Sequence, residues 1–319
     1  MTAAPDDGQG RGRTHIGALS GRQVRIPDVD VPPMPQLTDD GVTHNGESIS
    51  WFGDIGTDDR GYPDARSFAR RFGLLIPATN TIMEHELWSI VFRNQGAGGL
   101  GGVGLHTTPV SIPRPQVGTA EGLEEFKTQF LGGLEDATRT ALLAAPQYMI
   151  MGLSLEHILQ GIEPIRDQMR IVETYCDLGW ATWHDAIKAA FTAMGISRIG
   201  ILTAWERNGN ASAVRMFEDL GVEVVASAGF SCANVQHIAH VPDWAKEKAV
   251  LELLATPGNN LDAVVQCGTN MSMIDVTERL EPVLGIPVLG INAVTFWYAL
   301  RENGFMNPLE GGGRLLRDH

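Results

Sequence analysis

The chain has three thiols, Cys176, Cys232 and Cys267, and only the last sits where a thiol does chemistry. Cys267 closes the apolar run AVVQC (263–267) and is followed by Gly268, Thr269 and Asn270 before a helical stretch. A thiol at a strand's carboxyl end, ahead of a helix N-terminus, meets backbone N–H groups and the positive end of the helix dipole. Both favour thiolate, so a lowered pKa is expected. Gly268 allows substrate close to the backbone, and Thr269 and Asn270 add side-chain donors. The competing reading is a buried, inert cysteine, a common fate of free Cys. Cys176 (ETYCDLGW) and Cys232 (FSCAN) lack this context and read as structural.

A second group of polar residues stands at another strand end. Pro77-Ala78-Thr79-Asn80-Thr81, followed by Met83-Glu84, delivers a hydroxyl and an amide to a helix start. Thr79 and Asn80 are thereby candidates for holding a carboxylate, or simply for capping the helix. No cysteine forms a CxxC pair or has zinc-finger spacing with histidines, so neither a metal site nor a disulfide framework is expected. A reduced, cytoplasmic setting fits this cysteine usage.

These residues need a scaffold of alternating strands and helices. Strands are expected at FGLLIP (72–77), LHTTPV (105–110), YMIMG (148–152), RIGILT (198–203), VEVVA (222–226), AVVQC (263–267) and PVL (287–289). Helical periodicity covers about 81–94, 120–145, 157–175, 180–194, 208–220, 243–255, 272–284 and 292–303. Such alternation predicts an α/β fold of parallel sheets with crossover helices. The halves also echo each other. FGLLIPATN and RIGILTAWE both open as strand, turn and helix, and YMIMGLS and AVVQCGT are both apolar strands ending in Gly or Cys before a hydroxyl residue. The expectation is two pseudo-symmetric lobes, 68–176 and 177–291, the first completed by 292–319. Strand ends in open α/β sheets line ligand crevices, which puts the active site in the cleft between lobes.

Residues 1–67 read as an extended N-terminal arm, rich in Gly, Pro and Asp, whose Trp51, Phe52 and Tyr62 would pack on the body or on a neighbouring subunit of a homo-oligomer. A net charge of −14 argues against nucleic acid as a partner. The first residues lack the apolar core of a secretory signal, and no apolar run approaches the ~18–20 residues of a bilayer span.

Two long segments resemble a known family. FGLLIPATNTIMEHEL resembles the opening motif of maleate cis–trans isomerases. VVQCGTNMSMIDVTERLEPVLGIPVLGINAVTFWYAL is similar to the second-cysteine region shared by maleate isomerases and arylmalonate decarboxylases, and its Cys-Gly step is closest to the decarboxylases. Both groups belong to the aspartate/glutamate racemase superfamily of two-lobed enzymes, and the resemblance covers about 70–303.

The resemblance implies a cofactor-independent enzyme acting on a small carboxylate. Isomerases of this kind use two facing cysteines, and the first-lobe position falls on Gly152, a glycine as in the decarboxylases. Gly152, Leu153 and Ser154 then match a carboxylate-binding segment, with Leu153 departing from the decarboxylases' hydroxyl residue. Trp205 stands where the relatives place a carboxylate-binding Tyr. Glu156 and His157 are candidates to replace the missing cysteine as acid or base, or else begin a helix. His106 and His184 read as loop and helix-surface residues. The leading expectation is a decarboxylase-like reaction, in which an enediolate is protonated by Cys267 alone. The alternatives are maleate-type cis–trans isomerisation and a small-acid binding protein without catalysis.

Overall fold

The computed structural model describes residues 12–27, 43–44, 47–48, 64–111, 120–156, 159 and 161–319. Two antiparallel pairs come first: β1 (Gly12–Ile16) with β2 (Gln23–Pro27), and β3 (Thr43–His44) with β4 (Glu47–Ser48). The first lobe contains β5 (Arg70–Pro77), α1 (Met83–Arg93), β6 (Val103–Val110), α2 (Ala120–Leu142), β7 (Tyr148–Met151), α3 (Ile162–Val172), β8 (Trp180–Ala181) and α4 (Trp183–Met194). The second contains β9 (Arg198–Thr203), α5 (Arg207–Asp219), β10 (Glu223–Gly229), α6 (Asp243–Ala249), β11 (Ala263–Gln266), α7 (Ile274–Leu284) and β12 (Val288–Gly290). Helices α8 (Ile291–Glu302) and α9 (Gly313–Asp318) end the chain.

Each lobe carries a four-stranded, wholly parallel sheet. The orders are β6-β5-β7-β8 and β10-β9-β11-β12, the same path taken twice. Central strands of such sheets are covered on both faces and therefore read as continuous apolar runs. Phe72–Ile76 of β5, all of β7 and all of β11 are buried. In this topology the connections diverge between the first and third strands, which opens a crevice beyond their carboxyl ends. The segments after β5, β7, β9 and β11 lie at those crevices.

Helix α8 joins the lobes. It leaves β12 of the second sheet directly, and all twelve of its residues are buried. It packs against α1, α4, β7 and β8 of the first lobe. Buried on every side, α8 is an interior helix, and its polar residues Asn292, Arg301 and Glu302 are buried with it.

Three expectations are corrected. The arm is not simply extended over 12–27, where β1 and β2 form a hairpin: Val24 and Ile26 enter the core, Leu19 and Ser20 N–H groups donate to the Glu302 carboxylate at 2.7 and 2.9 Å, and Arg25 pairs with Asp177 at 2.9 Å. Trp51, Phe52 and Tyr62 lie outside the described residues. The first sheet extends past residue 176 to take in β8, so the lobes divide between α4 and β9. The helix expected from 157 begins only at Ile162, and Glu156 precedes it in an irregular segment.

Candidate active site

Cys267 follows β11, its N–H donating to Leu202 O of β9 at 2.9 Å. Its side chain is fully buried. Burial pushes the thiol well above its ordinary range, and the charge of Glu156 pushes it further. The expected lowering is therefore reversed, for an identifiable reason. Helix α7 starts at Ile274, seven residues on, and its leading N–H groups are already taken: those of Met273 and Ile274 both donate to Glu86 Oε1, at 2.6 and 3.0 Å. Cys267 is thereby held as a neutral thiol.

Gly268 adopts φ +104°, a conformation open to glycine and strained for other residues. Gln266, buried, donates through Nε2 to Gly268 O at 2.9 Å and accepts from Ile291 N at 3.3 Å. Because C=O and N–H of a trans peptide point opposite ways, this contact turns the Thr269 N–H away from Gln266. The Trp205 ring lies beside Gly268, with Cζ2 4.0 Å from where a Cβ would stand.

The first-lobe strand end reaches the same place. A Cβ on Gly152 would fall 2.5 Å from Leu75 O and 2.7 Å from Met83 Sδ, so the backbone there leaves no room for a second cysteine. The Gly152 N–H donates to Leu75 O at 2.7 Å. It is spent within the sheet, which corrects the expectation that it holds a substrate carboxylate. Leu153 is buried in the core. Ser154 directs its hydroxyl to Glu156 Oε1 at 2.6 Å. Glu156 is 1% exposed. Burial raises its carboxyl to about 7, against the pull of the Ser154 hydroxyl and the nearby N–H groups of Glu156 and Leu155. His157 lies outside the described residues.

The other expected binding residues meet one another. Asn80 caps α1, its Oδ1 accepting from Ile82 and Met83 N–H at 2.9 Å each, and its Nδ2 donates to Thr269 Oγ1 at 2.9 Å. Thr81 N–H donates to Asn270 Oδ1 at 2.9 Å, and Asn270 Nδ2 reaches Val235 O at 3.0 Å and Thr79 O at 3.4 Å. Both readings of the Thr79–Asn80 turn are thus partly met: it caps a helix and it lies at the site's edge, holding the lobes together.

Several participants escaped sequence reasoning. Glu86 accepts from Asn292 Nδ2 at 2.7 Å with its second oxygen, and Asn292 also donates to Thr269 O at 3.0 Å. Lys246, fully buried, donates to Ser272 O at 2.6 Å. A polar side chain inside an apolar run was the available signal, in AVVQC for Gln266 and in VLGINAV for Asn292. His184, expected on a helix surface, is buried because its helix packs against α8. Among the described residues no cluster of His, Cys, Asp or Glu could hold a metal ion, and no helix is long and apolar enough to cross a membrane.

Comparison with known proteins agrees with this arrangement. The family model for arylmalonate decarboxylase matches residues 134–316. The maleate isomerase of Nocardia farcinica is 23% identical over 254 residues, which span 78% of this chain and 96% of that protein. In solved structures, a cysteine variant of that isomerase with a covalently bound succinylcysteine intermediate superposes with a TM-score of 0.66 at 21% identity, over 78% of this chain and 99% of the other. A liganded double variant of arylmalonate decarboxylase superposes at 0.63 with 15% identity, over 78% of this chain and all of the other. Two sheets of one topology, a single buried cysteine at a strand end and a family match across more than half its length establish that this chain belongs to the arylmalonate decarboxylase family, within the racemase-like superfamily.

Proposed function

We propose that the chain is a cofactor-independent decarboxylase of small activated dicarboxylic acids, with Cys267 as its single proton donor to carbon. The substrate loses CO₂, the electron pair passes into an enediolate, and the Cys267 S–H proton moves to the carbon. Thr269 supplies donors for the enediolate oxygens: its hydroxyl accepts from Asn80 and keeps its own proton to give, and its N–H is turned away from Gln266 by the Gly268 contact. Trp205 beside Gly268 forms the wall of the substrate site. Fixed donors facing developing charge are the usual main source of rate in such chemistry.

The observation that carries this reading is the crowding at Gly152, which leaves Cys267 without a thiol partner. A two-cysteine isomerase needs the second group, and a decarboxylase needs one proton delivered to one face. Incubation with phenylmalonate and with maleate, followed by proton NMR and CO₂ release, tests it. The reading expects phenylacetate and CO₂, abolished in Cys267→Ser. Fumarate from maleate, without any CO₂ from malonates, would overturn it.

Isomerisation is the second reading, favoured by the Nocardia farcinica isomerase being 23% identical over nearly its whole length. In that case Glu156, buried and within electrostatic reach of Cys267, takes the place of the first-lobe thiol. A small-acid binding protein without catalysis would show ligand-dependent stabilisation and no product from either acid.

A further inference from the structure

Decarboxylation of a dicarboxylate dianion to a monocarboxylate consumes one proton per turnover, which a buried thiol must recover from solvent before it can act again. Isomerisation returns its proton and has no such need. Cys267 is fully buried, so while the lobes stay closed its proton supply has to come through the protein.

The first lobe contains two cavities in series. The larger, about 480 Å³, lies beside the N-terminal hairpin, away from Cys267; Arg22, Tyr148, Thr182, His184 and Tyr298 line it, and exposed Glu173 stands on its rim. The smaller, about 20 Å³, is lined by Glu156 and Trp183 and shares Thr182, His184 and Met169 with the larger. That volume holds one water molecule, provided polar groups face it. The buried Trp183 indole N–H has no partner among the described residues. Trp183 lines this space together with Glu156, Thr182 and His184; His184 Nε2 lies 3.4 Å from Thr182 Oγ1, whose hydroxyl donates to Asp185 Oδ2 at 3.1 Å. Glu156 thus lines the small cavity and also acts electrostatically on Cys267.

We propose that Glu156 and His184 form the proton-entry route to Cys267, Glu156 returning a proton to the thiolate after each decarboxylation and His184 passing protons inward from the larger cavity. The route rests on the decarboxylase reading for its purpose, but not for its existence. The protons balance: Cys267 S–H protonates carbon and becomes thiolate, the Glu156 carboxyl protonates the thiolate and becomes carboxylate, and a water proton relayed by His184 restores the carboxyl. The middle step runs downhill, because burial lifts the thiol well above the carboxyl's value of about 7. Burial also lowers His184, against the pull of Asp185, which keeps its ring neutral and free to accept and release a proton.

Two measurements test the route. Cys267 S–H to S–D exchange after dilution into D₂O can be followed by the S–H infrared stretch missing from Cys267→Ser, and it needs no turnover. Exchange is expected to slow about 100-fold in Glu156→Gln, within the range of lost acid–base assistance, to slow in His184→Asn, and to recover in part in Glu156→Asp. Rapid mixing with phenylmalonate should show one equivalent of product per site in Glu156→Gln at nearly the wild-type rate. A slow steady state should follow, with kcat and KM reduced together and kcat/KM little changed. Exchange at the wild-type rate in both Glu156→Gln and His184→Asn would overturn the proposal, as would equal slowing of first and later turnovers in Glu156→Gln. Wild-type protein that releases no CO₂ would instead refute the function, leaving the exchange measurement to decide the route.

Discussion

Burial without neutralising partners governs both groups at the centre of the site. The Glu156 carboxyl rises from 4.5 to about 7 in the folded chain. Below about pH 4.5 it is protonated whether the chain is folded or not. From there to about 7 the folded chain keeps a proton that the unfolded chain releases, so this residue's contribution to stability falls as pH rises. The full loss is about 3 kcal/mol by about pH 8. Glu156→Gln removes that dependence, so urea titrations should show the variant gaining on the wild type by about 3 kcal/mol between pH 4.5 and 8, with no difference in slope at lower pH. Gly152 yields a second expectation. Because an added Cβ meets backbone at 2.5 Å, Gly152→Ala should lose about 2 kcal/mol or more in the same titration, the cost typical of overpacking. For the same reason Gly152→Cys should not create isomerase activity.

At the scale of elements, Glu86 is the main pin between lobes. From α1 it accepts the two N–H groups that begin α7 and the amide of Asn292 on α8. Burial raises its own carboxyl, against those same hydrogen bonds. Glu86→Ala would leave three buried donors unsatisfied, a loss of about 3 kcal/mol or more, and calorimetry should show Tm lowered by about 6 °C or more. None of this was legible beforehand, since Glu86 lies in MEHEL among ordinary helix-surface types and its partners lie nearly two hundred positions away. The strands were more legible. RIGILT gave β9 with its observed limits, because a buried parallel strand is a continuous apolar run between breakers. The two-residue β8 was hidden at the start of what reads as one helix, too short to show a period of its own. Glu156 looked like a first-turn helix acid; the helix begins six residues later, and the freed segment lets the carboxyl turn inward.

For the whole molecule, the Asn80–Thr269 and Thr81–Asn270 hydrogen bonds form a seam across the lobes beside Cys267, which is fully buried. On the proposed function, substrate reaches Cys267 only when the lobes part. Alkylation mapped by mass spectrometry should modify Cys232, which is partly exposed, well before Cys267 or Cys176. Asn80→Ala should speed labelling of Cys267 while leaving that of Cys232 unchanged. An equal rate for Cys232 and Cys267 in the wild type would contradict a closed seam.

The path of α8 also fixes when the protein can be finished. Most of the first lobe is synthesised well before the helix that fills its interior, which follows the whole second sheet. Until residues 291–302 leave the ribosome, the apolar inner faces of α1, α4 and β7 have no permanent cover.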